Sequence, residues 1–538
     1  MRRFHDLRVG ALAGFATTAA LAGILYLLSQ LQVLSFIPLD IAEAINHLTP
    51  GQVATEGIET LGPIAKVLVE ITGLLIFLGV GTLIGALVER RRSYTTTSNG
   101  LSVGLVVLLL TVLAQFFAGR FPDVITLGAT AVVLFGWGLL LMFLLQRALA
   151  VAPETTAAPT EAEPDRRAFL RRSGGILLMV AVGSSAIGEL LRRASDDQLA
   201  QAIASGGPAS LPGAALPQPT MMVPEPGAGA GVVADPSFVP GIGARPELTP
   251  VDDLYIVATT TRAPHVDAST WQLTVKGMVD HPFTLSYDEL RALPRLDQTS
   301  TLTCISNEVG GRLVGNMTWS GTRLRDLLQR AGVQAGAVDV VLRSVEGYTD
   351  SIPVERALLA QNLIAYGVNG AALPIEHGFP ARLIVPGIYG MKNVKWLGEI
   401  EVVGEDYQGF WEERGWSDSA IIKTQSTLDT GNLDLSNDKH VKLENGKVVL
   451  GGYAFAGERG ISAVEVQIDG GAWQPAQLKR PTSSLTWREW RYEWPATPGD
   501  HVAVVRATDG AGQLQSADLA DPHPDGASGW HTLALVVS

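Results

Sequence analysis

The rhythm of hydrophobic and polar positions changes near residue 195 of this 538-residue chain. Before that point lie five apolar runs, at about 10–29, 64–88, 101–118, 124–145 and 174–191. Each approaches or exceeds the ~18 residues a helix needs to cross ~30 Å of hydrocarbon. Five transmembrane helices are therefore expected, four in a membrane region 1–150 and a fifth within 165–195. From about residue 245 the apolar positions alternate in short strands, as at 271–275 and 340–343, between helical stretches at 286–292 and 323–331. That mixture predicts an α+β domain over 245–415. Ser286 and Glu289 have the spacing of a capping box at the start of one of those helices. After about residue 425 only alternating strands remain, at 447–453, 461–468 and 501–508, with turns at Asp469-Gly470-Gly471 and Pro498-Gly499. They predict a β-sandwich over 425–538.

Loop charges orient the spans. Arg2, Arg3 and Arg8 precede the first run, whereas the loop from Gln30 to Gly62 carries Asp40, Glu43, Glu56 and Glu59 and no Lys or Arg. Arg90-Arg91-Arg92 follow the second run, and Arg147, Arg166, Arg167, Arg171 and Arg172 lie between the fourth and fifth. The positive-inside rule puts the N-terminus in the cytoplasm of a bacterial cell and everything after about residue 195 outside it. Arg120 and the Arg192-Arg193 pair run against that pattern. Asp165-Arg166-Arg167-Ala168-Phe169-Leu170-Arg171 resembles a twin-arginine export signal and also fits plain positive-inside charge. Residues 196–244, rich in Ala, Pro, Gly and Ser, suit a flexible tether; ~50 such residues span roughly 40 Å.

Composition narrows the function. Hydrophobic residues make up 47% of the chain, in line with a membrane portion, and the net charge of −13 disfavours a nucleic-acid partner. The apolar runs contain no histidine and the chain has no CxxCH, so no haem is expected. No GxGxxG and no GxxxxGK[ST] occurs, which leaves nicotinamide-fold and P-loop readings unsupported. A single cysteine, Cys304, excludes any intramolecular disulfide. It sits where a strand-like stretch runs into Asn307 and the Gly310-Gly311 pair, and is either buried filler or a reactive or metal-binding thiolate.

Downstream stand His377-Gly378-Phe379-Pro380-Ala381-Arg382 and Gly390-Met391-Lys392-Asn393-Val394-Lys395-Trp396. Together with Cys304 these resemble the molybdenum-cofactor domain of the sulfite oxidase family, from about Tyr255 to the C-terminus. The resemblance implies a sulfite-oxidase-type α+β domain with an immunoglobulin-like dimerisation domain behind it. It also implies one Mo-molybdopterin per chain. Cys304 would be the protein thiolate on molybdenum, beside two sulfurs from the pterin, at the catalytic centre. His377, Arg382, Asn393, Val394 and Lys395 would be the cofactor contacts, and Ser344 falls at a further one. A soft thiolate suits such a metal, and a planar guanidinium suits the phosphate of the pterin.

The resemblance breaks around the substrate. The family surrounds sulfite with arginines, where this chain has Val257-Ala258-Thr259-Thr260-Thr261 upstream, with Arg262 out of register, and Ser306-Asn307-Glu308-Val309 after the cysteine. Trp416 stands where a tyrosine is expected, as a pocket wall or as core packing. A pocket with Glu308 and without those arginines suits a dianion poorly and a neutral S-oxide better. The expectation is a membrane-anchored, externally facing molybdopterin oxidoreductase moving an oxygen atom to or from a small sulfur-centred substrate. Electrons would pass through a separate cytochrome or quinone-linked partner, and the last domain would dimerise. The alternatives are sulfite oxidation in a rebuilt pocket, and a cofactor-free anchored binding scaffold.

Overall fold

The computed structural model describes residues 7–31, 33–49, 53, 57, 63–90, 96–118, 122–150, 162–204, 233–260, 263–430, 440–443 and 445–538. Contacts divide the chain into two units, Met1–Leu199 with Thr259–Thr261, and Ala200–Ala258 with Arg262–Ser538. Each is described by itself.

The first unit is helical: α1 (Leu7–Gln30), α2 (Ile37–Leu48), α3 (Pro63–Arg90), α4 (Thr97–Phe117), α5 (Val124–Ala150) and α6 (Ala162–Ala204). Five of them, all but α2, contain stretches long and apolar enough to span a membrane, as the apolar runs require. The helices α1 and α3 meet through small residues. A Cβ on Gly14 would collide with the Gly81 carbonyl, and one on Gly10 with the Gly85 carbonyl. Where lipid tails are as apolar as the helices, such close backbone approach supplies much of the packing energy. Helix α2 lies within the Gln30–Gly62 stretch expected to be a loop. At ~1.5 Å per residue its 12 residues are too short to span a bilayer. Pro38 in its first turn suits a helix start. Asp40 is buried in it, accepting from Ser35 Oγ at 2.6 Å and from Gln115 Nε2 at 3.0 Å.

In the second unit, Ser286 caps the helix α7 (Tyr287–Ala292) as its spacing with Glu289 predicts, with both arms of the capping box present. The cofactor-domain part has two sheets. One runs β2 (Phe283–Ser286), β1 (Gln272–Gly277), β10 (Leu397–Val403), β5 (Asp339–Ser344), β6 (Thr349–Pro353) in spatial order. The other runs β3 (Leu296–Thr303), β4 (Val314–Arg323), β7 (Leu363–Val368), β8 (Ala371–Ala372), with β9 (Arg382–Ile384) also paired to β7. Helix α7 and helix α8 (Leu324–Ala331) add Leu290, Leu324, Leu327 and Leu328 to the core these sheets share with Leu273, Leu342, Ile364 and Ile400.

The C-terminal part has two further sheets. The first is β11 (Gln425–Leu428), β13 (Val448–Phe455), β17 (Arg488–Trp494), β16 (Gln477–Leu478). The second is β12 (His440–Val441), β19 (His531–Val537), β18 (Gly499–Asp509), β14 (Ile461–Ile468), β15 (Gln474–Pro475). Leu450 and Trp490 of the first share one core with Val466, Val505 and Leu535 of the second, which makes a sandwich. At the turn after β14, Asp469 and Gly470 both take positive φ, the conformation a tight hairpin demands.

Both ends of the 196–244 stretch expected as a tether are structured, and residues 205–232 lie outside the described ones. Helix α6 runs on to Ala204, and residues before 245 already lie on the sandwich, where Ile242 N–H donates to Val449 O at 3.0 Å. Arg245 then clamps buried Asp429 at 2.7 Å and stacks over Tyr453, its guanidinium carbon 4.6 Å from the ring centre. The twin-arginine-like residues Arg166, Arg167 and Arg171 have side chains outside the described ones.

Gly14→Leu should force α1 off α3 and destabilise the helical unit by about 1–3 kcal/mol. Thermal unfolding of the full chain in detergent measures this, and Gly79→Leu, where a Cβ meets nothing within 4 Å, is the control that should leave the melting temperature in place.

Candidate active site

Cys304 is the first residue after β3, whose last six positions are buried on both faces. Thr301 of that strand is satisfied internally: its Oγ1 donates to Asn316 Oδ1 at 3.0 Å and accepts from Trp487 N–H at 2.7 Å. The chain then turns back on itself over 305–311. Asn307 N–H donates to Cys304 O at 3.2 Å, and Asn307 Oδ1 accepts from Leu313 N–H at 2.8 Å. Cys304 N–H donates to Leu313 O at 2.9 Å, and Gly310 takes a φ of +76° in the bend. The thiol therefore stands on a short loop tied at both ends. Its Sγ lies 3.0 Å from Ser306 Oγ, and burial pushes the thiol pKa up. A thiol so placed is protonated at neutral pH, which suits a metal ligand that sheds its proton on binding better than a free nucleophile.

The His377 and Lys395 segments fold against each other. Gly378, with φ +113°, brings them together: a Cβ there would lie 3.1 Å from the Cβ atoms of both Arg382 and Lys395. Trp396 takes a positive φ and donates its Nε1–H to Ile375 O at 2.7 Å. Arg382, on β9, is buried, and its Nη1 and Nη2 donate to His377 O at 3.0 Å and Asn393 O at 3.2 Å. Its guanidinium carbon lies 5.1 Å from the Trp319 ring centre, Nε has no hydrogen-bond partner and no carboxylate pairs with it among the described residues, and burial lowers the pKa of the guanidinium to about 10. A buried cation without an anion is costly unless one arrives. Lys395 Nζ donates to Glu376 O at 3.0 Å and lies 4.4 Å from the Trp396 ring centre. Burial, then the Arg382 and Lys395 charges, hold His377 down at about 4, so its ring is neutral at pH 7.

Cys304, His377, Arg382 and Lys395 are thus brought to one neighbourhood. Asn393 and Val394 build it from inside. Both ends of the Asn393 amide are engaged, Oδ1 accepting from Val385 N–H at 2.7 Å and Nδ2 donating to Tyr389 O at 3.1 Å. Val394 is buried in the core, its carbonyl accepting from Leu383 N–H. Ser344 ends β5 opposite Leu397, and its Oγ accepts from Glu346 N–H at 3.4 Å within its own turn.

Two participants had no sequence signal. Tyr255 sits between Cys304 and Arg382: burial raises its phenol pKa, the cysteine raises it further and the arginine opposes them. Lys392 resembles Lys395 in sequence but is locked away. Its Nζ donates to Asp350 Oδ1 at 3.0 Å, Glu412 Oε1 at 2.7 Å and Ser351 O at 3.0 Å. Asp350 also accepts from Tyr348 Oη at 2.8 Å. This network ties the cofactor-motif segment to the one carrying Trp416. The Trp416 ring is buried in a cluster with Ile305 and Tyr389, 5.0 Å from the His523 ring. Glu308 is exposed, and Arg262 lies outside the described residues.

A buried, protonated thiol together with a buried guanidinium, a lysine and a neutral histidine forms a site for an anionic, metal-bearing group that displaces the thiol proton on binding, and these residues fit a molybdopterin. A family model described as "Oxidoreductase molybdopterin binding domain" matches residues 260–411. Sulfite oxidase of Arabidopsis thaliana is 31% identical over 271 residues, covering 42% of this chain and 68% of the relative. The "Uncharacterized oxidoreductase YuiH" of Bacillus subtilis is 38% identical over 150 residues, covering 28% and 74%. Human mitochondrial sulfite oxidase is 31% identical over 301 residues, 48% of this chain and 55% of the relative. The chain spans about half the length of the mitochondrial sulfite oxidases it matches. The class is molybdopterin-dependent oxidoreductase. Within it, this chain belongs to the sulfite oxidase family.

Arg382→Met removes an unpaired buried charge together with the anion's principal contact. The cofactor-free variant should be at least as stable as the parent by chemical denaturation, while molybdenum retention falls below a tenth of wild type. A variant that keeps its metal would contradict the assignment. A second expectation concerns pH. The folded His377 pKa lies below its ordinary value, so the unfolded chain takes up the proton first. Stability present above pH 6.5 is therefore lost as pH falls toward 4, by roughly 2–3 kcal/mol from this ring. His531, held at about 4 by burial, adds a loss in the same window. Denaturant titrations of the cofactor-free chain should show the slope, and His377→Gln should flatten it in part.

Proposed function

We propose that this chain is a membrane-anchored oxidoreductase that moves an oxygen atom to or from a small sulfur-centred substrate on the extracytoplasmic face of a bacterial membrane. The observation that carries the reading is Arg382, a buried cation that meets no acid among the described residues, in a domain whose one cysteine, Cys304, is buried near Lys395. Molybdopterin, when bound, supplies two-electron oxygen-atom chemistry. The protein's own part is to hold and orient it. Cys304 gives the metal a thiolate, Arg382 and Lys395 balance the negative charge, and neutral His377 offers a hydrogen bond without adding charge. Gly378 lets the two basic residues approach. A cofactor-free scaffold has no need to keep Arg382 Nε buried and unpaired, which disfavours that alternative.

The external location rests on the arginines of the cytoplasmic loops and on five crossings. Electrons are exchanged one at a time with a separate redox protein, a cytochrome or a quinone-linked partner, and the C-terminal sandwich pairs two copies. For the substrate, the loop after Cys304 carries Glu308 and Arg312, whose charges offset each other and leave no net positive charge for a dianion. That favours a neutral S-oxide; sulfite oxidation in a rebuilt pocket is the second reading, motivated by the named relatives.

Full-length protein purified from cells that make molybdopterin should contain about one molybdenum per chain, and Cys304→Ala should lose it. With artificial electron donors and acceptors, wild type should turn over sulfoxides faster than sulfite. Faster sulfite turnover would select the second reading, and metal-free protein would remove both.

A further inference from the structure

The residues that hold the cofactor in this reading are sealed in. Cys304, His377, Arg382 and Asn393 are each at most 7% exposed, so a group as large as a pterin reaches them only if some segment moves aside. The sheets and helices around them share one hydrophobic core, and shifting any of those would break it. One segment is held differently. Residues 233–258 form no strand and no helix beyond the three-residue turn Val251–Asp253, and only Phe238, Gly241, Thr249 and Leu254 among them are buried. A segment with so few buried contacts opens locally at a lower free energy than the domain it lies on.

This strap runs from the sandwich to the site. On the sandwich, a Cβ on Gly241 would lie 2.5 Å from Gly451 N, so the two backbones touch. Arg245 is fastened to Asp429 by its side chain and also by its backbone N–H, which donates to Asp429 Oδ2 at 3.2 Å. Its guanidinium carbon stands 5.8 Å from the ring centre of Trp487, the residue whose N–H holds Thr301 on the strand leading to Cys304. On the cofactor domain, Thr249 N–H donates to Asn316 O at 2.9 Å and Thr249 Oγ1 accepts from Asn316 N–H at 3.0 Å. Asn369 Nδ2 donates to Thr249 O at 3.0 Å. Past that clasp the His377 ring donates to the Val251 carbonyl, and Tyr255 Oη would lie 2.6 Å from a Cβ on Gly390.

We propose that residues 241–255 form a strap that opens to admit or release the molybdopterin, with the Arg245–Asp429 pair as its latch on the sandwich. The inference rests on the molybdopterin reading above and goes beyond it, by giving the C-terminal sandwich a part in keeping the cofactor in place. Removing either charge of a buried pair leaves the other uncompensated, so one substitution releases the latch. Linkage works in both directions: a closed strap slows loss of the cofactor, and a bound cofactor holds the strap closed.

The test compares full-length wild type with Asp429→Asn, both made in cells that supply molybdopterin and purified in detergent. Two quantities are read: the rate at which molybdopterin passes into solution, and backbone hydrogen exchange over 233–258 and over the core strand β7. Asp429→Asn should release the cofactor at least tenfold faster, with exchange over 233–258 rising by a similar factor and exchange over β7 unchanged. Thr249→Val undoes the clasp on the cofactor domain and should do the same if the first variant does not fold. Arg506→Met breaks a pair with Glu465 elsewhere on the sandwich and should leave both quantities at wild-type values. Wild type stripped of cofactor should exchange faster over 233–258 than loaded wild type. A strap that opens in the variants without faster release, or release that rises only together with exchange over β7, would overturn the proposal. So would variants whose strap exchanges as slowly as that of wild type. Wild type purified without molybdopterin would instead sink the cofactor reading on which the strap rests.

Discussion

A guanidinium buried without a carboxylate is the constraint from which the rest of the catalytic half follows. Arg382 reaches two backbone carbonyls and no acid. Keeping such a charge inside a folded domain requires that the segments supplying those carbonyls be held rigidly and that an anion complete the arrangement. Gly378 permits the approach, Asn393 ties its own segment to Tyr389 O and Val385 N–H, and Trp396 closes the far side with its bond to Ile375 O. The neighbouring loop then sets a protonated thiol close enough for its charge state to be felt at Tyr255. The site is thus preorganised for a bound group and strained without it.

The buried Lys392 network does different work. Asp350, Glu412 and Asp418 surround one ammonium, with Tyr348 donating to Asp350, so the charge is balanced locally and no ligand is called for. Its effect is mechanical. It fixes the segment that carries Lys395 to the short helical turn Glu412–Arg414 just before Trp416. Two lysines three residues apart therefore have opposite roles, one tied to the site's electrostatics and one to its frame.

Much of this was legible in the sequence, because the motif residues are constrained by chemistry that a side chain reports directly. The motif segments that carry His377, Arg382 and Lys395 fold against one another, with Lys395 close enough for its charge to act on Cys304, and the capping box at Ser286 forms. Apolar runs of the right length gave the five long helices. Other features were not legible, for physical reasons. The difference between Lys392 and Lys395 lies in distant partners, Asp350 and Glu412 standing 42 and 20 positions from Lys392. Tyr255 carries no motif and gains its place only through tertiary packing. Helix α2 is short and mixes buried Asp40 and Glu43 with apolar residues, so hydropathy alone hides it.

X-ray absorption at the molybdenum edge of the purified full-length chain tests the central claim most directly. Three sulfur neighbours in the wild type, falling to two in Cys304→Ser with the metal still present, is the predicted result. An unchanged sulfur count in that variant would mean that the lone thiol is not a ligand, and the account of this site would fail.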